Sequence, residues 1–208
     1  MRLMCISLGL LLLTTGAFAR SFGLPQAPAA HPTPSSPAQS DLHETVFHNQ
    51  AFGFSFKIPF GWVDRTQSMQ EGTQSEKSKV LLSIFERPPE AGESGVNSAV
   101  VIAAEAVSSY PGLKTATDYF GPLTELTTSK GFKVAEEPYP FDVGTKQLTR
   151  SDFSKGSGGH TMYQATLVTL VKGYAVSFTF LGETKDEVDT LVDRLAFVTA
   201  GNTRVHSK

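Results

Sequence analysis

Phe52-Gly53-Phe54-Ser55-Phe56-Lys57-Ile58-Pro59-Phe60-Gly61-Trp62 is the stretch on which the fold reading turns. Phe52, Phe54, Phe56, Ile58 and Phe60 take the even positions, and Gly53, Ser55, Lys57 and Pro59 the odd ones. Successive side chains of a β-strand point to opposite faces, so the alternation lays every large side chain on one face, which only a core can cover. Pro59 lacks the N–H that a ladder bond needs, so the strand ends there or lies at a sheet edge. Gly61 allows a sharp turn, and Trp62, the single tryptophan, is placed to cap the core.

Before this stretch, Thr45-Val46-Phe47 opens the domain and His48-Asn49-Gln50 makes a turn. After it, residues 64–78 are polar and read as a long loop. Residues 80–85 and 99–107 carry apolar side chains of both parities, as strands covered on both faces do, and Glu105 alone interrupts the second. Residues 87–97 between them form another long loop, and Pro111-Gly112 breaks the chain. Tyr119, Phe120, Leu123 and Leu126, spaced by three and four, predict a helix capped by Asp118, with Pro122 in its first turn and Lys130-Gly131 at its end.

Residues 132–135 and 146–153 read as strands, followed by a flexible turn at Lys155-Gly156-Ser157-Gly158-Gly159. Residues 163–171 and 174–181 flank Lys172-Gly173, a two-residue hairpin signal. Thr184-Lys185-Asp186-Glu187 has capping-box spacing, and Val188, Leu191, Val192 and Leu195 form the buried stripe of a last helix that Ala200-Gly201 ends. The sum is an α+β domain over residues 45–200. It is expected as an α/β/α sandwich, with a mostly antiparallel central sheet of about six strands and one main helix on each face.

The flanks read differently. Met1-Arg2, an apolar run over residues 3–13, and small residues at Ala17 and Ala19 have the form of a signal peptide over residues 1–19, cleaved after Ala19. The run is shorter than the roughly 20 residues of a membrane span, which disfavours an uncleaved anchor. Cys5, the only cysteine, lies inside this segment, so the mature chain has no thiol for a disulfide, for catalysis or for a metal. Residues 20–44 hold Pro25, Pro28, Pro32, Pro34 and Pro37 among Ala, Ser, Gln and Thr, and read as a disordered, extended linker. A stalk, or a ligand for a proline-binding module, is the functional alternative. Residues 201–208 form a tail. The expected location is periplasmic or secreted. With 18 Lys and Arg against 20 Asp and Glu, a net charge of −2 and no basic block, nucleic acid and anionic membrane surfaces are poor partners.

The order of elements resembles the PsbP-like family, named for an extrinsic subunit of the photosystem II oxygen-evolving complex. The resemblance rests on Gly53-Phe54-Ser55-Phe56 followed by Pro59 and Gly61-Trp62, and on a closing unit. That unit is a strand with Tyr163, the turn Lys172-Gly173-Tyr174, a strand with Phe178 and Phe180, and the helix from Thr184 to Phe197. It covers roughly residues 45–200 and brings no catalytic motif. It implies an α/β/α sandwich around an antiparallel sheet, and action by binding and assisting assembly. The plain secretion signal and the proline-rich spacer do not point to a thylakoid, so photosystem binding is not carried over.

Four clusters carry residue types suited to chemistry or ligand binding. Gly156-Ser157-Gly158-Gly159-His160 has a nucleophile-like look, but a nucleophile elbow needs G-x-S-x-G between a strand and a helix, and here the segment joins two strands. His43, Glu44 and His48 match neither the i, i+4 pair of a metalloprotease helix nor a zinc-finger spacing. Glu86-Arg87 with Glu90 and Glu93 offers at most a weak calcium loop, and a solvated loop is the ordinary reading. Phe52, Phe54, Phe56 and Phe178 can line a ligand cavity, although strand-period aromatics more often form core. No catalytic, cofactor-binding or metal-binding residue is assigned, and no cofactor is expected. The expectation is a monomeric, non-enzymatic protein that binds another protein through loops 64–78 and 87–97. The alternatives are an enzyme with a site assembled from distant segments and a carrier with an aromatic-lined cavity.

The intact mass of the exported protein should correspond to a chain beginning at Arg20. A species that retains Met1-Arg2 would contradict cleavage after Ala19.

Overall fold

The computed structural model describes residues 45–71, 77–88 and 95–198. The segments read as signal peptide (1–19), linker (20–44) and tail (201–208) lie outside the described residues. In chain order the elements are β1 (Val46–Asn49), β2 (Phe54–Lys57), β3 (Val63–Asp64), α1 (Thr66–Glu71), β4 (Ser78–Phe85) and β5 (Ala99–Ala106). A 3-10 turn (Val107–Ser109) leads into α2 (Ala116–Ser129). Then come β6 (Lys133–Val143), β7 (Lys146–Ser157), β8 (His160–Val171), β9 (Tyr174–Gly182), α3 (Lys185–Val192) and β10 (Leu195–Phe197).

Among the described residues these strands make two antiparallel sheets, β3-β4-β5-β9-β8-β7-β6 and β1-β2-β10. The single six-stranded sheet expected from sequence is thereby corrected: the phenylalanine strand belongs to a second, smaller sheet, of which it is the middle member. Its alternation holds, since Phe54 and Phe56 are buried and Lys57 is exposed. Its length does not. Only Phe54–Lys57 are extended, Phe52 sits in the β1–β2 turn, and Phe60 stands in solvent.

Alternation along the strands sorts the core into two layers. Ala165 and Leu167 of β8 and Val176, Phe178 and Phe180 of β9 pack with Phe54, Phe56 and the α3 residues Val188, Leu191 and Val192. Val168 of β8 and Ala175 of β9 pack against Tyr119 and Phe120 of α2. The large sheet is therefore covered on both faces, as its two-sided apolar strands require. One cover is α2; the other is α3 together with the small sheet. Trp62 packs on the edge of the first layer, as the sequence suggested.

The helix signals need three corrections. α2 begins three residues early, at Ala116, because Thr115 rather than Asp118 is its cap. The Thr115 hydroxyl accepts from Asp118 N–H at 3.2 Å, and the Asp118 carboxylate accepts from Thr115 and Lys114 N–H at 2.7 and 2.9 Å. Those backbone bonds hold the Asp118 carboxyl below its ordinary value. Pro122 consequently falls in the second turn. α3 stops at Val192, and Leu195, read as its last buried rung, instead opens β10, opposite Phe56 of β2. Part of the supposed loop 64–78 is β3 and α1, whose side chains cap the outer edge of β4: Val80 N–H donates to Gln70 Oε1 at 2.7 Å and Ser83 N–H to Thr66 Oγ1 at 2.9 Å. An edge covered in this way cannot pair with another chain.

The opposite edge is β6, longer than the expected 132–135 because Pro138 and Pro140 are tolerated on an outermost strand. Lys155, Gly156 and Ser157 extend β7 rather than forming a turn. At the β8–β9 turn, Lys172 and Gly173 both have positive φ (50° and 79°), the backbone that a two-residue hairpin with matching twist demands.

Phe56→Ala should cost about 3–5 kcal/mol of stability in urea denaturation, the usual loss for an emptied phenylalanine site. Lys57→Ala should cost less than about 1 kcal/mol. Equal losses would refute the one-sided strand.

Candidate functional site

The sheets end in two rims on opposite sides. At one, the β1–β2, β6–β7 and β8–β9 turns come together. Lys172 Nζ of the last donates to Ala51 O of the first at 2.6 Å, and the Phe52 ring meets Tyr174 edge-on at 5.6 Å. Between this clip and the β6–β7 turn lies a cleft of about 470 Å³, lined by Phe52, Thr145, Lys146, Thr169, Val171, Phe197 and Val198. Its inner wall is the Phe197 ring, which packs on Phe54 and Phe178 at 6.4 and 5.8 Å between centroids. The cleft is thus the open end of the space between the two sheets.

The other rim carries the most exposed large apolar side chain among the described residues. Phe60 is 88 % exposed in the turn between β2 and β3. The register Val63↔Phe85 puts it at the end of β4 from which residues 87–97 leave. The base of that loop is fixed: Asn97 accepts from Arg87 N–H at 3.1 Å and donates to Arg87 O at 3.0 Å, while the Arg87 guanidinium donates to Val96 O at 2.7 Å. Thr45 lies at the same rim, accepting from Ile58 N–H at 2.8 Å.

Two clusters of buried polar groups form closed networks. Glu105, 4 % exposed, accepts from the hydroxyls of Ser78, Tyr110 and Tyr119. Arg150, facing the α3 side of β7, makes a forked contact with Asp152 (Nε and Nη2 to Oδ1 at 3.0 and 2.8 Å) and reaches Asp189 of α3 at 2.7 Å. Its guanidinium stacks 4.9 Å from the Phe141 ring. Burial opposes the Arg150 charge, but the hydrogen bonds to Asp152 and Asp189 outweigh it and hold its pKa above the ordinary value. Tyr139 donates to Asp152 at 3.0 Å, and burial, then the Asp152 charge, push its phenol up from the ordinary 10.0.

The residues singled out from sequence are scattered. His160 begins β8 and its Nδ1 lies 2.9 Å from Glu183 Oε1, both exposed, across a two-residue turn at Gly158-Gly159 that joins β7 to β8. That turn is a strand-to-strand hairpin and not a nucleophile elbow. His48 is exposed on β1, while His43, Glu44, Glu90 and Glu93 lie outside the described residues. Among the described residues no three His, Cys, Asp or Glu side chains group as metal ligands. Phe54, Phe56 and Phe178 are packed core and line no cavity; of that set only Phe52 reaches the cleft. Of the two loops expected to bind, residues 64–71 lie along the outer edge of β4, starting at Asp64 opposite Ile84, and residues 87–88 and 95–97 flank the Phe85 end of that strand; residues 72–76 and 89–94 lie outside the described residues. Among the described residues no helix is long and apolar enough to cross a membrane.

Lys146, Thr169 and Arg150 escaped the sequence reading. A signal for the last existed: Leu148 fixes the inward parity of its strand, and Arg150 and Asp152 share that parity, an inward charge pair. The cleft had none, because its walls come from four separate segments.

No protein-family model matches the chain, and a search of curated proteins finds no match. Among solved structures the chain is similar to cyanobacterial PsbP (CyanoP) from Synechocystis sp. PCC 6803, at a TM-score of 0.50 and 17% identity, over 79% of this chain and 98% of that one. It is also similar to LpqN of Mycobacterium tuberculosis, involved in cell envelope biogenesis, at a TM-score of 0.40 and 14% identity, over 75% and 91% of the two chains. The CyanoP likeness shows that the fold is PsbP-like.

Because the folded chain holds the Tyr139 proton more tightly than the unfolded one, that contribution to stability is complete below the ordinary pKa of 10.0 and is lost as pH rises above it. Urea midpoints measured between about pH 9 and 11 should fall more steeply for the parent than for Tyr139→Phe. Parallel curves would contradict the assignment.

Proposed function

We propose that the protein is a non-catalytic binding protein acting outside the cytoplasm, and that it engages another protein through the rim that carries Phe60 and the 87–97 loop. The observation that carries this reading is the exposure of Phe60, 88 %, on a turn stiffened by Pro59 and closed by the Trp62 N–H to Pro59 O bond. A rigid aromatic held in water costs free energy in the unbound state and little entropy on docking, the profile of an interface anchor. The loop beside it is pinned at its base by Arg87 and Asn97, so its ends are already ordered.

Support also comes from the way titratable groups are used. Glu105 is held by Ser78, Tyr110 and Tyr119, Asp152 is held by Arg150 and Tyr139, and the His160–Glu183 pair is open to solvent. A general base or nucleophile works in a desolvated cleft with a partner group aligned to it. The PsbP-like resemblance, with its implied binding and assembly roles, agrees with this reading, and the signal-peptide pattern supports the location.

The test is cross-linking of the purified full chain in the exported protein fraction. Phe60→Ser should leave the melting temperature within a degree or two of the parent, as surface changes do. It should weaken capture of the partner by about tenfold or more, the loss of an interface anchor. Unchanged capture by Phe60→Ser would sink the proposal. So would a hydrolytic activity of the parent that His160→Ala abolishes without unfolding it.

A further inference from the structure

We propose that the cleft at the opposite rim is a binding site for a single-chain amphiphile that ends in a carboxylate. The site is separate from the Phe60 surface and does not rest on the function proposed above.

Three features of the cleft select that chemistry. One part of its wall is apolar: Phe52, Val171, Phe197 and Val198, the last 72 % exposed. Its inner wall cannot collapse to fill the space, because the Phe197 ring is seated against Phe54 and Phe178. Its volume of about 470 Å³ is within the range of small-molecule sites, about 300–1,000 Å³. An alkyl chain matches such a wall.

The polar groups supply the other half of the ligand. Lys146 is the charged residue of the lining, half-buried, with no ion pair or hydrogen bond among the described residues. A neutral chain laid over it would strip water from an ammonium and give nothing back, whereas a carboxylate replaces that water with a charge-assisted bond. Thr169 also lines the cleft and brings a hydroxyl to it. That hydroxyl, open to the cleft, can donate to the same carboxylate. One cation and one donor beside apolar walls suit a monoanion with a chain. They do not suit a phosphate dianion or a sugar, which need several polar partners.

The probe is sodium dodecanoate, titrated calorimetrically into the full chain below its micelle concentration, with amide NMR spectra followed in parallel. Saturable binding at one site is expected, with shifts at Gly53, Lys146 and Thr169. Lys146→Gln should weaken binding by about tenfold or more without moving the melting temperature. Lys146→Arg should stay close to the parent, and dodecanol should bind more weakly than dodecanoate. The proposal is overturned by the lack of saturable heat below about 1 mM, by equal affinity of the parent and Lys146→Gln, or by shifts that cluster around Phe60. It also falls if the cleft amides are covered in a dimer of the chain, which would make a second copy the occupant. It falls equally if dodecanoate binds only after residues 199–208 are deleted, which would make the chain's own end the occupant.

Discussion

Phe54 meets Phe178 edge to face, 5.0 Å between ring centroids and 82° between planes, and most of the molecule serves to keep that contact dry. One ring comes from the middle of the small sheet and the other from the middle of the large one. One step along, Phe56 packs on Phe180 at a tilt, 6.2 Å and 38°, and Phe47 and Phe197 close the flanks. The small sheet, with strands of four, four and three residues, is too short to stand alone. It exists because it has an aromatic face to set on β8 and β9. The large sheet in turn cannot leave that face wet, and α3 covers what the small sheet does not.

A filled interior moves function to the rims. Strand-period phenylalanines can build either a core or a cavity, and here the T-shaped packing of their rings uses the space up. What remains open is the end of the inter-sheet layer, where the β6–β7 turn stands away from the β1–β2 turn and Lys172 ties the latter to the β8–β9 hairpin instead. Polar groups inside the fold follow the same economy. Arg150 is tolerated in the layer because its charge is matched by Asp152 and Asp189 and its flat face rests on Phe141. An unpaired guanidinium there would cost several kcal/mol.

What could be read beforehand was what depends on neighbours in sequence. The alternation at Phe54 and Phe56, the two-sided strands β4 and β5, the Lys172-Gly173 turn and the Thr184 cap are all local patterns, and each holds. The misreadings are places where distant partners decide. Leu195 fits a helical stripe and a strand equally well, and pairing with Phe56 settles it as a strand. Pro138 and Pro140 argue against a strand until β6 is known to be outermost. Thr115 outranks Asp118 as a cap because the two bond each other's backbone, a reciprocal geometry that either residue alone conceals. The candidate sites were legible in still smaller part. Phe60 was visible only as one more member of an apolar alternation, and the cleft residues are contiguous only after folding.

The pairing of β2 with β10 also governs the order of events in folding. Its register joins Phe56, near the start of the domain, to Leu195, near its end. During synthesis the aromatic face of β2 therefore waits for almost the whole domain before its sheet can close, and the chain-closure entropy of that long loop falls due last. Until then the phenylalanines are available to any other apolar surface. A chain released before β10 would retain the large sheet's hairpins yet lack a lid for its central layer. The last few residues of the domain thus decide whether an otherwise assembled molecule is closed or adhesive.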